Sequence, residues 1–305
     1  MAADVRPFEL PTTDGLLLRG EVWGSGDLAL TFVHGSGLTV QSYYPAFRAL
    51  AGRARVHALN SRGHGSSGNP ADFPSYEAPV ADLRSLVETR LRPPAVLSGH
   101  SFGALISLQL AAEEPGLAAG LLLLEPLVPW RRSEEWLPAG EGAGSELIAK
   151  TQTRRAQWES RADAERWLGA RSIYRDWSAE ALERFCDSAL EEQPDGTVTL
   201  ACPPWLEAAS YAGRPGKEIF QWAERVQVPA VVLRGRESMK CILRGAEDLA
   251  DAFTMGTVIT VEGDHTFPQE YPESTGAALA QALEILARGT GARRRPERSP
   301  SRAGG

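Results

Sequence analysis

The stretch Leu97-Ser98-Gly99-His100-Ser101-Phe102-Gly103 places a serine between two glycines. An apolar run, Ala95 to Leu97, precedes it, and a helical spacing of apolar residues, Leu105, Leu108 and Ala112, follows it. A strand that turns this abruptly into a helix strains the serine backbone. It needs glycines two positions to either side so that strand and helix can approach. The turn leaves the hydroxyl exposed above a sheet edge, at a helix N-terminus. Five residues of G-x-S-x-G alone match many loops, and the flanking strand and helix are what make this one informative.

The rest of the chain repeats the same grammar. Arg6 to Leu10 and Leu16 to Trp23, separated by Thr13-Asp14-Gly15, read as a hairpin. Leu28 to Val33 is almost continuously apolar, as a buried parallel strand is, and ends in His34-Gly35-Ser36-Gly37. After a helix expected over Tyr43 to Leu50, the strand Arg55 to Leu59 delivers a second glycine-rich loop, Asn60 to Gly68. A helix over Tyr76 to Leu91 carries an apolar stripe at Val80, Leu83 and Val87. Gly120 to Leu124 is a short apolar strand closed by Glu125-Pro126. Pro229 to Leu233 and Thr257 to Val261 are two more strands, separated by a helix from Leu243 to Phe253 and followed by one from Pro272 to Leu286. Strands alternating with helices in this way give an α/β fold: a mostly parallel central sheet covered on both faces.

The alternation stops between Pro129 and Trp222, where helices are expected over Glu146 to Leu168 and Ser178 to Gln193, with breaks at Asp195-Gly196 and Cys202-Pro203-Pro204. Seven of the eight tryptophans fall here. The division expected is a core over residues 1–128 and 226–288, an inserted helical subdomain over 129–225, and an Arg-, Gly- and Pro-rich disordered tail over 289–305. The tail is the one cluster of positive charge in a chain with 32 Lys plus Arg against 39 Asp plus Glu, a net charge of -7, which disfavours a nucleic-acid partner. The three cysteines are scattered and unpaired in spacing, so neither a disulfide framework nor a metal site is expected, and no cofactor is implied. No apolar run reaches the ~20 residues of a membrane helix and the N-terminus lacks a signal-peptide pattern. The location expected is the cytosol, with a small molecule as partner and the oligomeric state unread.

A serine hydroxyl needs a base, and the base an acceptor that fixes its tautomer. Of the five histidines, His265 follows the last expected strand and the serine in chain order, and is the base expected for Ser101. His100 is expected to point away and pack; His34 and His64 belong to glycine-rich loops, with His34 a candidate for the substrate pocket. The orienting acid is open between Glu125, at the end of the strand after the serine, and Glu237, beyond the next strand. Asp264 is beside the histidine and is expected to point elsewhere. Backbone amides of Phe102, at the helix N-terminus, and of Ser36, after His34-Gly35, are the candidate oxyanion donors. Trp130 is the second candidate for the pocket. The glycines fit neither a dinucleotide fingerprint nor a Walker loop.

With these residues in place the chain resembles an α/β-hydrolase over residues 6–288. The His34-Gly35 turn, the Arg62-Gly63-His64-Gly65-Ser66 loop, the Gly99 to Gly103 serine turn and the Gly263-Asp264-His265 loop occur in that family's order. The resemblance implies the α/β-hydrolase fold with a helical lid after the sixth strand. The implied enzyme is a serine hydrolase that cleaves a carboxylic ester or lactone of a small to medium, largely apolar substrate. Carbon-carbon bond hydrolysis, thioester cleavage or acyl transfer on the same constellation are alternatives, as is a non-catalytic ligand-binding protein on the scaffold. The family usually carries an aspartate after its seventh strand where this chain has Ser238 and Met239. Some members place the acid after the sixth strand, which matches Glu125-Pro126.

Overall fold

The buried faces of the strands explain the order in which the chain assembles. In the computed structural model, which describes residues 5–73, 75–128, 143–216 and 218–291, β1 (Val5–Pro11) and β2 (Leu17–Trp23) form an antiparallel hairpin turned at Gly15. There follow β3 (Leu28–Val33), a single helical turn α1 (Tyr44–Phe47), β4 (Ala54–Leu59), α2 (Glu77–Arg90), β5 (Ala95–His100), α3 (Phe102–Glu113) and β6 (Ala118–Leu124). The inserted region holds α4 (Ala143–Gln152), β7 (Gln157–Trp158), α5 (Arg161–Gly169), α6 (Ala179–Ala189), β8 (Leu190–Glu192), β9 (Val198–Leu200), α7 (Pro204–Ala212) and α8 (Glu218–Arg225). The core resumes with β10 (Ala230–Gly235), α9 (Lys240–Ala252), β11 (Gly256–Val261), α10 (Phe267–Glu270) and α11 (Pro272–Gly291).

Eight strands make one sheet in the order β1-β2-β4-β3-β5-β6-β10-β11. β2 runs antiparallel to β1 and β4, and every pair from β4 to β11 is parallel. Period-two alternation sends Leu122, Leu124, Val231 and Leu233 to one face, against α1 and α11. It sends Leu121, Leu123, Ala230 and Val232 to the other, against α2, α3, α8 and α9. Leu121 to Leu124 are all fully buried, each worth ~1.5–3 kcal/mol over an exposed leucine. Because the six parallel strands share a direction, the loops beginning at His34, Asn60, Ser101, Glu125, Arg236 and Glu262 all leave from one sheet edge.

The inserted region is less helical than its sequence reads. The single helix expected over Glu146 to Leu168 is two, α4 and α5, separated by Gln157 and Trp158, which pair with β9 in a small antiparallel sheet ordered β7-β9-β8. Helical spacing loses here because Trp158 is buried against Trp167, with ring centroids 5.5 Å apart. The break expected at Asp195-Gly196 is the turn of the β8-β9 hairpin: Gly196 takes φ 85°, and Asp195 Oδ1 accepts the Thr197 amide at 3.0 Å. Trp158, Tyr174, Trp177 and Phe185 join the same apolar cluster as Phe32, Tyr43 and Phe47. α6 is tied to the core by Ser188 with Thr39 at 2.6 Å and by Glu180 with Arg48 at 2.7 Å. Trp130 and Trp136, and most of the expected tail, lie outside the described residues. Among the described residues no helix is long and apolar enough to cross a membrane.

Candidate active site

β5 ends between β3 and β6, with Gly99 opposite Leu123 and His100 opposite Leu124, and the chain turns at once into α3. Side chains at Gly99 and Gly103 would be driven into backbone, that of Gly103 and Ala104 in the first case and of Val33 in the second. Ser101 sits between them at φ 51° and ψ -109°, and its amide is held by the Leu124 carbonyl at 2.9 Å. Ser101 and Glu125 are the two non-glycine residues with positive φ among the described residues. Such strain persists only where the surroundings hold it, and it gathers at functional positions.

Glu125 is completely buried. Its amide donates to the Leu233 carbonyl at 2.8 Å, its Oε1 accepts from the Gly235 amide and from Ser238 Oγ at 2.9 Å, and its Oε2 lies 3.3 Å from His265 Nδ1. Ser238, one of the two residues found after β10 where an acid is expected, therefore donates to a carboxylate supplied from the end of β6. Glu237, the other carboxylate weighed, is engaged elsewhere: its Oε2 accepts the Gly263 amide at 2.6 Å and fastens the loop that carries His265. Asp264 accepts from the Thr266 amide at 2.8 Å and hydroxyl at 3.2 Å. With Nδ1 donating to Glu125, His265 keeps Nε2 as its basic nitrogen.

His100 does more than pack. Its Nε2 donates to the His265 carbonyl at 2.8 Å, because a carbonyl can only accept, and its Nδ1 therefore accepts from the Tyr43 hydroxyl at 2.7 Å. The Gly35 amide donates to that same hydroxyl at 3.2 Å, so one line of bonds joins the His34-Gly35 turn to the base loop. The His100 and His265 rings lie 4.7 Å apart. Burial and the neighbouring His265 hold His100 well below the ordinary histidine range, in the neutral form this network requires.

His34, expected in the pocket, is instead enclosed at 0% exposure. Its Nδ1 donates to the Gly35 carbonyl at 2.7 Å and its Nε2 accepts the Ser61 amide at 3.0 Å, bracing one glycine-rich loop against the other. His64 repeats the pattern, donating to the Arg62 carbonyl and accepting the Gly37 amide at 3.0 Å. In the turn after His34 the amides of Gly35, Gly37 and Leu38 all have acceptors, while that of Ser36 has none among the described residues. At the start of α3, Gly103 donates to the His34 carbonyl, and Phe102 has no acceptor among the described residues. Two amides without an acceptor among the described residues thus come from the two elements that meet at Ser101, where the ideal Cβ position of Gly35 lies 3.4 Å from Ser101 Cβ. Phe102 packs its ring against Tyr76 and Phe73. A cavity of about 370 Å³ lined by Asp27, Leu28, Arg55 and Arg90 lies at the opposite ends of the strands and contains none of these groups.

The same order of loops and strands is written in the comparison with known families. The model of the alpha/beta hydrolase family matches residues 32–291. The chain belongs to the α/β-hydrolase family. Within the family, this hydrolase is 27% identical over 267 residues to the 2-(acetamidomethylene)succinate hydrolase of Mesorhizobium japonicum, a match spanning 86% of this chain and 89% of that protein. It is 22% identical over 273 residues to the (E)-2-((N-methylformamido)methylene)succinate hydrolase of Acinetobacter baylyi, over 86% and 92% of the two chains. Among solved structures, that of an E-2-(acetamidomethylene)succinate hydrolase superposes with a TM-score of 0.75 at 22% identity, covering 92% of this chain and all of the other. The thioesterase domain of the curacin biosynthetic pathway gives 0.73 at 19%, over 93% and 99%. At such identities the superpositions speak for the α/β-hydrolase fold, with its mostly parallel sheet of eight strands, and not for the substrate.

Proposed function

We propose that this hydrolase cleaves a carboxylic ester or lactone through an acyl-enzyme on Ser101. His265 Nε2 takes the hydroxyl proton as Ser101 Oγ attacks the carbonyl, and Glu125 holds the Nδ1–H tautomer and offsets the charge of the imidazolium. The Ser36 and Phe102 amides receive the oxyanion. The tetrahedral species collapses, His265 returns its proton to the leaving oxygen, and a water activated by the same nitrogen releases the acid. The observation that carries this reading is the buried, strained Glu125 aimed at His265 from the strand next to a strained Ser101.

A fluorophosphonate is expected to label Ser101 stoichiometrically. Ser101→Ala is expected to lower turnover of a short-chain aryl ester by about 10³-fold or more. Labelling at another residue, or undiminished turnover in the variant, overturns the proposal. The relatives that match across 86% of this chain favour a second reading, in which the bond cleaved is that of an acylaminomethylene succinate, the kind of compound their names carry. The same steps act on an amide carbonyl, and comparing an ester with an enamide of one acid as substrates decides between the two.

A further inference from the structure

The roof over the oxyanion turn is built from polar groups the catalytic steps leave unused. α7 lays Glu207 and Ser210 on the His34 to Leu38 turn: Ser210 Oγ donates to Ser36 Oγ at 2.7 Å. The Glu207 carboxylate fills the space a side chain at Gly37 would need, with Oε1 2.6 Å from the ideal Cβ position. Arg154, in the link between α4 and β7, reaches this carboxylate with Nη1, 2.5 Å from Oε2, and the Tyr211 hydroxyl donates to Oε1 at 3.1 Å. A guanidinium is thereby tied through Glu207 to Gly37, the neighbour of Ser36 in the turn.

Only one corner of that guanidinium is used. Arg154 Nε and Nη2 are buried and make no hydrogen bond of ordinary geometry among the described residues, although the Tyr174 hydroxyl lies beside the guanidinium. Those two nitrogens form one edge of the fork, donating in parallel at the spacing of the two oxygens of a carboxylate. Leaving two donors of a charged group buried and unmet is costly, so the arrangement calls for an acceptor that arrives from outside. Among the described residues, the one carboxylate set against Arg154 is that of Glu207. The other titratable neighbours are neutral: burial pushes Tyr174 up to about 12 and His64 down to about 4, and holds Tyr211 well above the usual phenol range.

We propose that the Nε–Nη2 edge of Arg154 is a carboxylate subsite beside the oxyanion turn, so that the substrate of Ser101 carries a free carboxylate a few bonds from the carbonyl attacked. The proposal rests on the hydrolytic reading of Ser101 and narrows its substrate to acidic molecules. Arg154 is then a specificity residue that touches substrate, and Glu207 and Tyr211 position it.

The test has a kinetic arm and a binding arm. In the first, kcat/KM is measured for monoethyl succinate, which carries a carboxylate, and for diethyl succinate, which does not. The wild type is expected to favour the acid ester, and Arg154→Gln to lower the ratio of the two values by tenfold or more. Arg154→Lys, which keeps charge but loses the fork, is expected to fall between. In the second, succinate is titrated calorimetrically into Ser101→Ala, with and without Arg154→Gln, and affinity is expected to drop at least tenfold with the arginine gone. Loss of succinate binding with Arg154→Gln supports the subsite even if neither ester is turned over, a result that would sink the hydrolytic reading alone. An unchanged ratio together with unchanged succinate affinity overturns the subsite. Because Arg154→Gln strands a buried carboxylate, Arg154→Gln/Glu207→Gln, which removes the pair together, carries the same two measurements if the single variant does not fold.

Discussion

At the scale of single residues, the two acids that the sequence leaves open are separated by what their oxygens touch. Glu125 spends one oxygen on Gly235 and Ser238 and the other on His265. Glu237 spends its contact on the Gly263 amide. If Glu125 fixes the imidazole, Glu125→Gln lowers kcat by about 10³- to 10⁴-fold, since an amide can present its NH₂ to Nδ1 and favour the wrong tautomer. Glu125→Asp withdraws the carboxylate by one bond, roughly 1.5 Å, and costs about 10²-fold. Glu237→Gln keeps an acceptor for Gly263 and stays within about threefold of the wild type. Steady-state rates of the three variants with one ester, beside their circular dichroism, check all three. A larger loss at Glu237 than at Glu125 reverses the assignment.

At the scale of elements, the strand-to-helix turn is governed by contacts between backbones. β5 and α3 meet so closely that Gly99 has no space for a methyl group, and Gly103 stands against the carbonyl of Val33 at the end of β3. Gly99→Ala forces a carbon into the Gly103 and Ala104 backbone, with no flexible side chain to yield. It is expected to cost at least about 3 kcal/mol and to lower Tm by roughly 6 °C or more, measured by thermal unfolding. A Tm within a degree of the wild type would mean that the turn relaxes at little cost. The same closeness operates at Gly35, where an added Cβ would lie 2.7 Å from His100 Nδ1 and break the line of bonds from Tyr43 to the His265 carbonyl. The Ser101 turn, the His34-Gly35 turn and the His265 loop are thus held in register by three separate strands through one histidine.

At the scale of the whole molecule, burying neutral histidines at the sheet edge makes stability depend on pH. His34, His64 and His100 are fully buried and held below the ordinary value of 6.5, His64 to about 4. Between pH 4 and 6.5 the unfolded chain binds protons at these positions that the folded chain does not, so unfolding is favoured as pH falls. Each such histidine contributes about 1.4 kcal/mol per unit of pH in that window, and nothing above it. Glu270 opposes this: raised to about 7 by burial and its contact with Asp264, it favours the folded state at low pH and loses that contribution as pH rises through 7. Asp82 and Glu207, raised by burial, oppose it as well, while His57, lowered to about 4 by burial, adds a fourth histidine; four histidines acting across the interval outweigh three carboxyls, and Tm is expected to fall from pH 7 to pH 5. A Tm that is level or rising over that interval would show that the histidines are charged in the folded protein.

The amino-acid sequence by itself determined the parts whose signals are local. Apolar runs ending in glycine-rich loops specify buried parallel strands that deliver their loops to one edge, and the spacing of Gly99, Ser101 and Gly103 specifies a turn that few backbones permit. Tertiary structure decided everything that depends on which side chain meets which across the fold. It chose Glu125 over Glu237 at the imidazole and turned His34 from a pocket residue into a brace. It drew Trp158 into a strand where the local pattern reads helix, and brought Arg154 and Glu207 to the turn that holds Ser36, more than a hundred residues away in the chain. Helix and strand periodicity are written within a dozen residues of chain. The partners of a buried polar group are fixed by the requirement that its hydrogen bonds be satisfied within the fold, and that requirement acts only once the distant loops have converged on the sheet edge.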